Sequence, residues 1–298
     1  MKRLLTFAAA LLVSGGASIV DAQWVAPAHL FPVVAKLAGA QGTDWMTNLF
    51  ISNLSSEAAT VTGIFLRENT NNTLFGNLVI HEVTLQGGQT LTVPDVLGSW
   101  FPGEGNTKGV LLLLADPQGG GGEDMLLAAS ARIFNNANPS ATYGQAISSS
   151  FVHFIIGRGK SVLTGARHDG TVRSNVGIVN LSLQPLQVII TTYNAAGVQV
   201  AQVTKQVESF SLRQWALSGV GVSSLAPGGR VEVQIDPDTI TWDCCSQNPA
   251  DFLNTQFGLF MAYISRIDQV TGDAEFALGL TDWEEYVDEC GEVPDQCP

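Results

Sequence analysis

The chain repeats itself. Thr47-Asn48-Leu49-Phe50-Ile51-Ser52-Asn53-Leu54-Ser55 returns as Ser174-Asn175-Val176-Gly177-Ile178-Val179-Asn180-Leu181-Ser182, and Gly109 to Pro117 returns as Gly229 to Pro237. Two shorter matches keep the same order: Leu37 to Ala40 with Leu163 to Ala166, and Ala128 to Ile133 with Ala262 to Ile267. Spacings of 120 to 134 residues give a unit the size of one β-sandwich domain, and their inequality places insertions in loops. A fold for this chain must therefore be one that a single unit adopts twice.

Each unit reads as short strands of period two. Thr60 to Leu66 and Gln187 to Tyr193 are rich in β-branched and aromatic residues and run into turn chemistry at Glu68 to Asn72 and Asn194 to Gly197. Asn194-Ala195-Ala196-Gly197 followed by Val198 to Val203 predicts a hairpin whose glycine supplies a positive φ. Helix signals are few: Asp95 is placed to cap a short turn through Trp100, with Leu212 to Leu217 as its counterpart. The expected class is all-β, with one antiparallel sandwich over residues 23–150, a second over 151–281, and a tail at 282–298.

The N-terminus carries the pattern of a secretory signal over residues 1–22: Lys2 and Arg3, then an apolar run from Leu4, then Val20-Asp21-Ala22 before the expected cleavage point. That apolar run is too short for a membrane anchor, and no later stretch approaches about 18 apolar residues. The sequence thus predicts a secreted, periplasmic or cell-surface protein whose mature chain is not inserted in a membrane. Its 14 Lys+Arg against 27 Asp+Glu, a formal charge of -13, argue against a nucleic-acid partner. Only 14% of residues are charged, against about 25% in an average soluble domain. Cys244, Cys245, Cys290 and Cys297 are expected to oxidise outside the cytoplasm, tethering the acidic tail; four cysteines allow three connectivities. A four-thiolate metal site is the rival reading, but adjacent cysteines lack the usual C-x2-C spacing. The tail holds seven acidic residues and no basic one, a solvated segment or, less simply, a cation site.

Several stretches carry a resemblance: TNLFISNLS at 47–55, PDVLGSWF at 94–101, SARIFN at 130–135 with TYGQ at 142–145, RSNVGIVNLS at 173–182 and ISRIDQVTGD at 264–273. Together they resemble a family of secreted bacterial proteins with two Ig-like β-sandwich repeats in tandem. The resemblance implies that fold and assigns no catalytic or binding residue. The WDCCSQNPADF segment at 242–252 and the cysteine-containing tail depart from the family pattern.

Signals for chemistry are sparse. His29, His81, His153 and His168 are scattered, none in a metal-binding pair of i, i+4 spacing, and His29 and His153 are read as equivalent positions ahead of each repeat. Gly159-Lys160-Ser161 lacks the earlier glycine of a phosphate loop. Asp116-Pro117 and Asp236-Pro237 are read as strand ends, and Arg132 with Arg266 as a repeated pair that braces loops or carboxylates rather than gripping an anion. Glu123-Asp124 could in principle do acid/base work. Neither a catalytic residue nor a cofactor or metal is predicted. Two roles are expected in turn. One is a non-enzymatic structural, adhesive or assembly module whose partners are other copies of the protein, with Trp24 to Lys36 either its own first strand or an added edge strand. The other is carbohydrate binding at surface glycans through loop aromatics, for which Trp100, Phe101 and Trp242 are the candidates.

Overall fold

A computed structural model describes residues 25–39, 42–73, 77–117, 126–140, 142–149, 155–156, 159–239 and 258–281. The signal segment, Trp24, Glu123-Asp124, His153, Trp242, the four cysteines and the acidic tail lie outside the described residues.

The first repeat builds β1 (Ala28–Ala38), β2 (Asp44–Asn53), β3 (Ala59–Arg67), β4 (Val79–Leu85), β5 (Thr90–Val93), a one-turn helix α1 (Val96–Trp100), β6 (Thr107–Pro117), β7 (Leu127–Asn135) and β8 (Tyr143–Ile147). One layer has the order β4-β3-β6-β1 and the other β5-β2-β7-β8, joined at a corner where Leu37 pairs with Trp45 and Ala38 with Asp44. The second repeat starts with β9 (Ile155–Ile156). It continues with β10 (Lys160–His168), β11 (Val172–Asn180), β12 (Leu186–Tyr193), β13 (Gln199–Val207) and β14 (Ser211–Ala216). A short 3-10 turn (Leu217–Val220) leads to β15 (Leu225–Ile235), β16 (Leu259–Asp268), β17 (Ala274–Leu278) and β18 (Leu280–Thr281). Its layers, β13-β12-β15-β10 and β14-β11-β16-β17, repeat the first arrangement strand for strand, with β18 added to β10 and β9 to β16. Every pairing is antiparallel. The chain is therefore two β-sandwiches, and segment 28–38 is the first strand of its own domain, paired with β6.

Local chemistry explains why the same unit forms twice. Asn53 and Asn180 are fully buried, and each side-chain amide donates to three carbonyls: Glu57, Leu85 and Gln86 in one repeat, Gln184, Val207 and Glu208 in the other. Each carboxamide oxygen accepts from the backbone N–H two residues on, at Ser55 and Ser182. Those serine hydroxyls in turn accept from Leu126 N and Leu259 N. The repeated Asn-Leu-Ser is thus a polar knot that satisfies loop backbone which burial would otherwise strand. Thr47 and Ser174 act alike at the layer corner, where each hydroxyl bonds both the N–H and C=O of one residue, Ala35 or Arg167.

The pairing registers correct the sequence alignment in three places. Phe31 faces Leu111 as Leu163 faces Val231, so Leu163 takes the place of Phe31 rather than of Leu37. Both strands then carry a register shift at the same point, after Phe31 and after Thr164. By the same register the counterpart of His29 is Ser161, not His153. In β7 and β16, Leu127 opposite Asn53 matches Phe260 opposite Asn180. That makes Ser265 the counterpart of Arg132, and a slip of one residue puts Arg132 and Arg266 on opposite faces. Arg132 donates to the backbone oxygen and hydroxyl of Thr142; Arg266 reaches the Gly165 carbonyl and lies 2.9 Å from Glu275. Both brace neighbouring strands and loops, as residues of structural role do. Asp95 caps α1 through Gly98 N, whereas Leu212 to Ala216 is strand and the matching turn begins only at Leu217. Gly159 leads into β10, with no helix after it.

The two sandwiches are bonded to each other. The loop after β3 lies along β14: Asn69 N donates to Leu212 O at 2.9 Å, Asn72 N to Ser209 O at 3.1 Å and Asn72 Nδ2 to Phe210 O at 2.7 Å. In return Ser211 Oγ donates to Arg67 O and Gln214 N to Glu68. Beneath these bonds one apolar cluster runs across the junction, joining Leu66 and Phe65 with Leu212, Met261 and Tyr263. No helix among the described residues is long and apolar enough to cross a membrane.

Candidate functional site

A cleft of about 310 Å³ opens where β1 meets the outer face of β11 and β16. Strand periodicity supplies its walls. From the first sandwich Val33, Ala35 and Leu37, alternate residues of β1, face it together with Trp45, Lys108, Ile133 and Gln145. From the second come Arg173 and Asn175 of β11, Gln214 of β14, and Tyr263, Ser265 and Ile267 of β16.

Most of the polar groups are satisfied. Ser265 Oγ donates to Gln145 Oε1 across the junction at 3.3 Å, and Tyr263 Oη to Gln214 Oε1 at 3.2 Å. Lys108 is paired with Glu68 at 3.5 Å. Burial pushes the Tyr263 hydroxyl well above the usual phenol range, with the Glu68 charge adding to it, so it stays a neutral donor. Of the lining residues Arg173 holds a buried Nε without a hydrogen-bond partner; outside the lining, His168 Nδ1, on the residue directly opposite in the β10–β11 pair, and Arg266 Nε are in the same condition.

The predicted aromatic candidates are elsewhere. Trp100 and Phe101 keep only 8% and 1% of their surface exposed, so the expectation that loop position would present them to a glycan is corrected. α1 folds them inward: Trp100 stacks on His81 with ring centroids 4.8 Å apart, in space that a Cβ at Gly63 would fill, and Phe101 stacks on Phe65 at 5.6 Å. Trp242 lies outside the described residues. His29 is buried, bonded to Leu127 O and Ser149 Oγ, and desolvation lowers its pKa. Among the described residues no group of three His, Cys, Asp or Glu could hold a metal ion. The cleft residues Arg173, Gln145 and Gln214 escaped sequence reading because they meet only through the docking of two domains. One signal was present: Arg173 and Asn175 share the face of β11 that a lone sandwich would turn to water.

No protein-family model matches the chain, and no curated protein matches it. Among solved structures, an α-L-rhamnosidase of Streptomyces avermitilis overlaps 88% of this chain and 28% of its own, at 8% identity and a TM-score of 0.25. Bacteroides uniformis β-glucuronidase 2 overlaps 88% and 28%, at 10% identity and a TM-score of 0.18. A further Bacteroides uniformis β-glucuronidase overlaps 92% and 30%, at 13% identity and the same score of 0.18. The chain spans less than a third of each of these proteins, and overlaps this slight carry no conclusion about activity.

Proposed function

We propose that the protein is an exported, non-enzymatic structural module that works at the cell surface or in the extracellular space by associating with further copies of itself. The observation that carries this reading is the junction: side-chain and backbone bonds between Arg67, Glu68, Asn69 and Asn72 and the segment 209–214, over a continuous apolar cluster, tie the two sandwiches together. A catalytic role needs convergent reactive groups, whereas two sandwiches bonded to each other suit a load-bearing or spacing part. Among the described residues the edge strands β4 and β13 each pair with one strand. They carry exposed Ile80 and Val200, with exposed Val198 just before β13, an apolar edge of the kind used for strand addition. Mass photometry at micromolar concentration tests this: the wild type is expected to form dimers or larger species, which Ile80→Lys with Val200→Lys reduces to monomers. A strict monomer in the wild type, or recovery of the native protein from the cytoplasm on fractionation, removes the proposal.

A further inference from the structure

We infer that the cleft between the sandwiches binds a small organic carboxylate, with Arg173 as its anchor. The inference stands apart from self-association through the sheet edges, since it uses a different surface.

A guanidinium placed at a domain junction costs free energy unless its donors are met. Three other arginines meet that condition with carboxylates: Arg67 forks onto Glu104, Arg167 bonds Asp169 and Arg230 bonds Glu232; Arg266, whose buried Nε is also without a hydrogen bond, still has Glu275 at 2.9 Å. Arg173 has a buried Nε with no partner, and no acid lines the cleft with it. What distinguishes Arg173 is that its guanidinium lines a cleft and has no carboxylate beside it, so an anion entering the cleft would supply the charge that the lining lacks. His168, facing Arg173 across the strand pair, holds a second unmet buried nitrogen, and residues directly opposite in an antiparallel pair have their Cβ atoms only about 5 Å apart.

The remaining lining defines the ligand class. Lys108 is neutralised by Glu68, so the cleft offers one open positive charge, which suits a monoanion better than a phosphate dianion. The planar fork of arginine matches the two oxygens of a carboxylate. Trp45, Leu37 and Ile267 give an apolar wall for an organic remainder, and the Asn175, Gln145 and Gln214 amides can both donate and accept. At about 310 Å³ the space is at the small end of ligand pockets.

The test uses the full mature chain labelled with 15N, with the Arg173 Nε–H signal assigned through its side-chain carbons. Acetate, lactate, gluconate and inorganic phosphate are titrated separately at matched ionic strength. The signal is expected to move saturably with lactate or gluconate and far less with phosphate. Arg173→Met should weaken that binding by about tenfold or more, and Arg173→Lys, which keeps the charge and loses the fork, by less. If no carboxylate moves the signal at tens of millimolar, or phosphate moves it as strongly, the assignment is wrong. Because the decisive signal is read in the wild type, a variant that fails to fold does not rescue the idea. Unchanged affinity in a folded Arg173→Met protein also overturns it.

Discussion

The same sheet face meets water in one repeat and protein in the other. On β2 the outward residues Met46, Asn48, Phe50 and Ser52 are partly or well exposed, with Phe50 at 38%. Their counterparts on β11 are Arg173, Asn175, Gly177 and Val179, of which the last three are buried under the first sandwich. The large residue has changed strands. Phe50 pairs with Ser130, whereas Gly177 pairs with Tyr263, whose ring lies where a Cβ of residue 177 would be. Duplicated units keep their inner face and their polar knots, and diverge on the face where they dock.

Reinstating the first-repeat residue breaks this division most strongly. Gly177→Phe drives a ring into Tyr263 and is expected to cost about 4 kcal/mol in urea denaturation, as severe overpacking does. Adding Tyr263→Ser should recover part of that loss by restoring the first-repeat pair. Next come the two knots, where the repeats are alike: Asn53→Ala and Asn180→Ala each leave three carbonyls unmet and should each cost about 2 to 3 kcal/mol. A large inequality would show that the knots are not equivalent. Asn72→Ala removes the bond to Phe210 O and local loop bonds. It should cost about 1 to 2 kcal/mol and separate the unfolding of the sandwiches into two transitions by calorimetry.

The smallest effects are those of acid, and they separate the repeats. Burial holds His29 of the first repeat below its ordinary value of 6.5. As the pH falls below that value the unfolded chain takes up a proton that the folded one refuses, so the first repeat loses stability there. In the second repeat the Asp169 carboxylate is held well below the usual range, first by Arg167 and then by the Thr171 and Val172 N–H groups. Asp268 is lowered by the N–H groups of Thr271 and Val270. Their contribution is present above the unfolded carboxylate range and is lost as the pH falls through the folded values. Amide exchange followed down the pH scale should show the first repeat loosening earlier and the second only in stronger acid.

How much the sequence disclosed follows the same division. Strand periodicity, the Asn-Leu-Ser repeats and the Asp95 cap act within a few residues or within one domain, and they predicted a double sandwich. Register did not follow from residue identity: Leu37 to Ala40 resembles Leu163 to Ala166, and Arg132 resembles Arg266, yet hydrogen-bond pairing places each one elsewhere. Trp100 reads as a loop aromatic because its partners, His81 and Gly63, belong to other strands. The cleft was the least legible element, since Arg173 stands out only when a second domain covers its strand and supplies no acid.

The loop that ties the sandwiches together has a consequence for growth. The connection between β3 and β4 runs over residues 68–78, long enough to lie along a neighbour, while its counterpart between β12 and β13 is a tight turn at 194–198. The first repeat's loop is already engaged, and the β12–β13 turn of the second repeat is too short to reach a further sandwich in the same way. Stacking through this loop therefore ends after a single junction instead of repeating from copy to copy, and the proposed self-association would have to use a different surface, such as the sheet edges.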